Sequence, residues 1–150
     1  MRATLADDLA FGTKNEENVW TTIENALGTK LTRLGGYSPL DYTNEAKTIW
    51  AELKTRRIAH NQYPTALIGK NKVDFCDKPD VAYYFVYSYN DGLWYIKYEK
   101  NLFDTFRVEI EYERGWRPDA NNAPSAVVHI PVEHLKKLEQ HNGLLPNCML

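Results

Sequence analysis

The chain has 150 residues, of which 43% are hydrophobic, and this size and composition are typical of one domain with its own apolar core. Its formal net charge of −2 argues against a general polyanion-binding protein. No segment approaches the roughly 18 consecutive apolar residues of a membrane-spanning helix, and the N-terminus has no signal-peptide pattern. Cys76 and Cys148 are expected to be free thiols. We therefore expect an intracellular protein, cytoplasmic or inside the host cell if viral, with no membrane partner.

The first predicted element is an amphipathic helix from Asn15 to Leu27, in which apolar residues recur every four positions. Gly28 is placed to end it. Residues 48–55 alternate between apolar and polar side chains, which predicts a strand. The apolar face of that strand consists of Ile49, Ala51 and Leu53.

The middle of the chain predicts a short helix and then a β-hairpin. Pro64 fits the first turn of a helix that continues to about Ile68. Residues 82–89 and 93–98 are rich in aromatic and β-branched residues, and Asn90-Asp91-Gly92 between them favours a tight turn. The aromatic residues of this hairpin are interpreted mainly as sheet packing, with a base-stacking surface as the alternative.

The last part of the chain predicts a strand from Phe103 to Tyr112, a polar loop over 119–124, a short strand over 127–130 and a helix from Pro131 to Leu138. The order is helix, strands, helix, strands, helix. This order predicts a single α/β (α+β) domain, residues 1–150, with a central mixed β-sheet flanked by helices. Residues 1–10 are a candidate flexible segment, and 142–150 form an apolar tail that folds back or contacts another subunit.

One strand carries the residues that point to chemistry. Since residues two apart on a strand share a face, Glu52 and Lys54 lie together on the face opposite the apolar residues. Asp41 precedes Glu52 by eleven residues, enough for a short strand, a turn and part of a return strand. A hairpin would therefore bring both carboxylates to one end of the sheet.

Two carboxylates and a lysine are what phosphodiester hydrolysis requires. Carboxylate oxygens bind Mg²⁺ while leaving coordination positions for water and phosphate. The metal lowers the pKa of bound water and screens the phosphate charge. A neighbouring lysine orients the water or stabilises the transition state. Asp41, Glu52 and Lys54 would fill these roles, with Mn²⁺ able to replace Mg²⁺.

Asp41 followed by Glu52-Leu53-Lys54 resembles the motif of the PD-(D/E)xK nuclease superfamily, in particular small nucleases of phages and large DNA viruses. The resemblance implies a restriction endonuclease-like fold and a Mg²⁺-dependent endonuclease or exonuclease acting on DNA. Many members carry a metal-site glutamate on the first helix, often after a glycine. Gly12-Thr13-Lys14-Asn15-Glu16 resembles that pattern, which implies that Glu16 supports metal binding, with Glu17 as the alternative.

Basic residues near the motif are candidates for DNA contacts. Residues 28–72 contain eight basic and three acidic side chains. Thr55 and Arg56 follow the motif lysine at the place where such folds commonly meet the DNA backbone, and Lys70 and Lys72 are candidates for phosphate contacts. For each of the four, the alternative is an ordinary solvated surface residue.

The Glu-x-Lys part of the motif occurs twice in the chain. Glu45-Ala46-Lys47 is a second copy, which we set aside because it follows Asp41 too closely and lies among turn-like polar residues. Two other functional classes stay open: a nuclease-fold module that binds nucleic acid without cutting it, and a structural or interaction protein. A homodimer is a candidate assembly, as in nucleases that cut both strands.

Overall fold

The computed structural model describes residues 19–111 and 125–138. Helix α1 covers residues 19–27 within this range, in agreement with the predicted amphipathic helix. Its apolar stripe of Val19, Ile23 and Leu27 is buried. Gly28 follows with φ of 68°, a left-handed conformation that ends the helix at little steric cost.

The main sheet has six strands in the order β1-β2-β3-β5-β6-β9. Their bounds are Thr32–Arg33, Tyr42–Thr43, Ile49–Thr55, Ala82–Tyr89, Gly92–Lys97 and Lys136–Lys137. Strands β3 and β5 pair in parallel, and the other neighbours pair antiparallel, so the sheet is mixed. The predicted β5–β6 hairpin is present, and Gly92 has φ of 129°, which L side chains rarely adopt.

A second sheet has three strands in the order β4-β8-β7, with bounds Thr65–Gly69, Ser125–Pro131 and Arg107–Glu111. Between the strands lie two short helices, α2 over Lys70–Asp74 and α3 over Lys100–Phe103, and a 3₁₀ turn over Val132–His134. The α+β fold class with a mixed sheet is thereby confirmed, and it is consistent with a restriction endonuclease-like fold.

The two faces of the main sheet pack against different layers. Because side chains alternate along β5, Tyr84 and Val86 join α1 in one apolar cluster. Phe85 and Tyr87 join the second sheet in the other. Ala51 on β3 belongs to the helix-side cluster, so Glu52, its neighbour, points to the side of the second sheet. The layers are therefore helix, sheet and sheet.

The predicted helix from Pro64 to Ile68 is wrong. Residues Thr65–Gly69 form β4, in which Ala66 and Ile68 are buried while Leu67 between them is 40% exposed. This is the two-residue period of a strand, and proline is tolerated immediately before a strand as well as at the start of a helix.

Two further predictions are wrong in part. The predicted strand from Phe103 begins only at Arg107, because Phe103 ends α3 and is buried there. The predicted helix from Pro131 to Leu138 is a single 3₁₀ turn followed by β9. Leu135 and Leu138 are buried, and their three-residue apolar spacing fits a 3₁₀ turn and an extended return as well as a helix.

The alternating strand over residues 48–55 and the short strand over 127–130 are confirmed as β3 and as part of β8. Cys76 is a buried free thiol. The polar loop over 119–124, the apolar tail, Cys148 and residues 1–10 lie outside the described residues. In the described ranges, no helix is long and apolar enough to cross a membrane.

Candidate active site on strands β2 and β3

The β2–β3 hairpin places Asp41 opposite Glu52. Tyr42 pairs with Ala51, and Asp41 and Glu52 are the next positions outward in the same register. The connecting turn is held by Asn44, whose side-chain oxygen accepts hydrogen bonds from the backbone N–H groups of Thr48 and Ile49, at 2.9 and 3.1 Å. These bonds fix the turn and therefore the register that juxtaposes the two carboxylates.

Each carboxylate also contacts a backbone N–H group of the facing strand segment. The N–H of Asp41 donates to Oε2 of Glu52 at 3.2 Å, and the N–H of Leu53 lies 3.4 Å from Oδ2 of Asp41. Two carboxylates that share such a corner repel each other, and the backbone donors offset part of that repulsion. The arrangement is a compact pair of carboxylates.

Two lysines surround the glutamate. Nζ of Lys54 lies 3.9 Å from Oε1 of Glu52, and Nζ of Lys72 lies 3.5 Å from the same oxygen. Lys72 also donates to the carbonyl oxygen of Pro39 at 2.5 Å. Lys54 comes from the same strand as Glu52, whereas Lys72 comes from α2, which follows β4 of the second sheet. The site is therefore built at the contact between the two sheets.

Glu52 is the most buried of these residues, with 3% of its surface exposed. Burial raises the pKa of Glu52 above its ordinary value, and the nearby charge of Asp41 raises it further. The ammonium groups of Lys72 and Lys54 oppose this shift but do not cancel it. A buried carboxyl with a raised pKa, next to a second carboxyl and two lysines, is typical of a functional site.

The donor set fits a magnesium ion. Among residues 19–111 and 125–138 there is no group of three or more His, Cys, Asp and Glu side chains placed to hold a metal. Mg²⁺, however, is commonly held by one or two carboxylates together with waters and substrate phosphates, and Asp41 and Glu52 supply two hard oxygen ligands side by side. Glu16, expected to assist, lies outside the described residues, as does Glu17.

Of the four predicted DNA-contact residues, two line a cleft with Lys54 and two do not. Arg56 and Lys72 line one cleft together with Lys54. Thr55 is exposed at the end of β3. Lys70 does not line this cleft, and its ammonium is paired with Asp74 on the next turn of α2, at 2.7 and 2.9 Å.

The sequence placed Lys72 among the DNA contacts and not beside the carboxylates. Its position follows from β4, since this strand precedes α2, and residues 65–69 alone carry no signal that separates a strand from a helical turn, because Ala66, Leu67 and Ile68 are all apolar.

A comparison with protein-family models identifies the family of the chain. A family model described as phage putative PDDEXK endonuclease matches residues 8–138. The chain belongs to this family. A search of curated proteins found no significant match. Membership in this PDDEXK family supports a nuclease at a coarse level.

Proposed function

We propose that the protein is a divalent-metal-dependent nuclease that hydrolyses DNA phosphodiester bonds. The observation that carries this proposal is the position of Asp41 opposite Glu52, with Lys54 on the same strand face as Glu52, in a chain of the PDDEXK endonuclease family. Asp41 and Glu52 would hold Mg²⁺, or Mn²⁺ in its place, and Glu16 is proposed as a third, supporting ligand.

Each side chain has a distinct role in this proposal. Bound to the two carboxylates, the metal would supply an acidified water and screen the scissile phosphate. Lys54 is 29% exposed at its side chain, so its ammonium can reach a substrate while remaining near Glu52. We assign Lys54 to orienting the attacking water and to stabilising the extra negative charge of the pentavalent phosphorus. Arg56 and Lys72, which line the same cleft, are proposed to bind neighbouring phosphates.

The test is cleavage of linear, closed circular, branched and single-stranded DNA in Mg²⁺ or Mn²⁺, with EDTA as the metal-free control. We expect the wild type to cut at least one substrate, and Glu52→Gln and Asp41→Asn to lose the activity. Glu45→Gln is the matched control, because Glu45 belongs to the second Glu-x-Lys copy and is exposed. Cleavage of closed circles would identify an endonuclease.

The experiment also separates the alternatives. Activity that survives in Glu52→Gln, or no cleavage of any substrate by the wild type, contradicts the proposal. Salt-sensitive DNA binding without cleavage would instead identify a binding module. Absence of both metal and DNA binding would favour a structural protein. A homodimer stays a prediction, and sedimentation of the protein with and without DNA tests it.

A further inference from the structure

Two clefts meet beside the candidate site. The first, here the lysine cleft, is lined by Lys54, Arg56, Leu67 and Lys72 among others and has a volume of about 430 Å³. The second, here the tyrosine cleft, has about 550 Å³. It is lined by Arg56, Tyr63, Leu67, Tyr87 and Tyr89 among others. Since Arg56 and Leu67 line both, the two clefts are adjacent.

The tyrosine cleft has the walls of a site for a flat apolar group. Tyr87 and Tyr89 are buried, and their rings are nearly parallel, with centroids 5.8 Å apart. The hydroxyl of Tyr87 already donates to the carbonyl oxygen of Leu67 at 3.0 Å. At the open side, Tyr63 and Leu67 are 56% and 40% exposed. The cleft therefore offers ring and aliphatic surface, and its volume lies in the range of small-ligand sites.

The charged residues around the two clefts indicate which kind of ligand the tyrosine cleft would bind. Arg56 forms the wall that both clefts share, and Lys54 and Lys72 lie in the lysine cleft beyond it. The two lysines are partly neutralised by Glu52, which leaves Arg56 as the cation between the clefts. An apolar segment of a protein partner would gain nothing from this charge, whereas a nucleotide carries a flat base and an anionic phosphate joined to each other. Arg56 is four residues beyond Glu52, about 13 Å along an extended strand. A base in the tyrosine cleft would thus belong to a nucleotide near the scissile phosphate.

We propose that the tyrosine cleft binds an unpaired nucleobase of the DNA strand whose phosphates lie along Lys54, Arg56 and Lys72. This inference rests on the proposed nuclease function and narrows its substrate class. A base inside a duplex is stacked on both faces and paired at its edge, so it cannot enter the cleft. The preferred substrate is therefore DNA that is single-stranded or carries an unpaired nucleotide next to the cleavage site.

The test compares two single strands of equal length and charge, one of thymidylate and one that is abasic throughout. Binding is measured by fluorescence anisotropy in EDTA, so that no cleavage occurs. We expect the wild type to bind the thymidylate strand about tenfold more tightly than the abasic strand. Tyr63→Ala and Leu67→Ala should reduce that ratio to within about twofold and leave the abasic affinity unchanged. Both residues are partly exposed, so these variants are expected to fold.

Two controls identify the source of the effect. Tyr37→Ala removes a fully exposed tyrosine that lines neither cleft, and it should leave the ratio unchanged. Lys72→Ala should weaken both strands alike, because both carry the same phosphates.

Failure of the base-binding proposal can be distinguished from failure of the nuclease proposal. Equal affinity of the wild type for the two strands, or equal weakening of both by Tyr63→Ala, overturns the base-binding proposal while the nuclease proposal stands. If the wild type binds neither strand in EDTA, the base-binding proposal fails, and the nuclease proposal is decided separately by the cleavage assay, which supplies the metal. If Tyr63→Ala alters the sedimenting mass and not the ratio, another copy of the chain covers the cleft, which also overturns the proposal.

Discussion

Replacing Lys72 with methionine is the most informative single change, because it removes one charge beside the buried Glu52 while keeping a similar chain length. In a medium of effective dielectric about 20, a charge pair at 3.5 Å attracts by about 4–5 kcal/mol. The desolvation of the lysine offsets most of that attraction, and Lys54 remains beside Glu52, so we expect a net loss of about 1–2 kcal/mol. The carbonyl of Pro39 loses its donor, which costs about 1 kcal/mol more.

The loss of stability in Lys72→Met has one part that depends on pH and one that does not. The pKa of Glu52 is raised in the folded protein, so ionising Glu52 costs the folded state more than the unfolded state. Stability therefore falls as the pH rises from the unfolded pKa through the folded pKa. Lys72 limits that fall. Below the pKa that Glu52 has in the folded protein, its carboxyl is neutral, so the ion pair with Lys72 no longer contributes to stability. The hydrogen bond from Lys72 to the carbonyl of Pro39 persists at every pH.

Thermal and urea unfolding of wild type and Lys72→Met, followed by circular dichroism from pH 4 to pH 9, measures both parts. At pH 8 we expect a difference of about 2–3 kcal/mol, or about 5–10 °C in Tm for a chain of this size. At the acid end only about 1 kcal/mol should remain. In a Glu52→Gln background, Lys72→Met should cost about 1 kcal/mol at every pH. The same cost at all pH values and in both backgrounds would refute the electrostatic account.

Three further predictions concern buried groups. Since the pKa of Glu52 is raised, Glu52→Gln should raise the Tm of the metal-free protein at pH 8, and a lowered Tm would contradict this. Burial raises the pKa of the Cys76 thiol to about 12, so in a Cys148→Ser background the folded protein should not react with a thiol reagent at pH 8 until denaturant is added; fast reaction of folded protein would oppose this. Tyr87→Phe removes the donor to the carbonyl of Leu67 and should lower the free energy of unfolding by about 1 kcal/mol in urea titrations; an unchanged midpoint would show that the bond contributes little.

The sequence predicted the elements whose determinants are local. The alternation of residues 48–55 identified β3 because one buried face suffices to specify a strand. The turn Asn90-Asp91-Gly92 identified the β5–β6 hairpin because a left-handed residue is required there. The same local reasoning predicted that Asp41 could meet Glu52, since both belong to one hairpin.

Pairings between distant segments could not be predicted in this way. Strand β3 pairs in parallel with β5 and not with β4, the next strand along the chain. Strand β4 pairs with β8, so that Ala66 lies opposite Ile130. Five residues after a proline fit a first helical turn or an edge strand equally well, and only the partner strand decides between them. The error over 64–68 follows from that ambiguity.

The wrong prediction over residues 64–68 also explains why the position of Lys72 beside Glu52 was not predicted. Its place beside Glu52 depends on β4, because that strand carries α2 to the β2–β3 hairpin. The two lysines and two carboxylates balance in formal charge, which lets two acidic groups lie together in the metal-free protein. Under the proposed function, a metal ion at Asp41 and Glu52 would compete with the ammonium of Lys72 for the carboxylate of Glu52.

Lys72→Met should therefore lower stability and yet strengthen metal binding. We expect the Kd for Mn²⁺, measured by calorimetry, to fall about threefold to tenfold, equivalent to about 0.6–1.4 kcal/mol. Lys70→Met is the matched control, because Lys70 lies two residues away on α2 and pairs with Asp74 instead. Weaker Mn²⁺ binding in Lys72→Met would mean that Lys72 organises the carboxylates for the metal and does not compete with it.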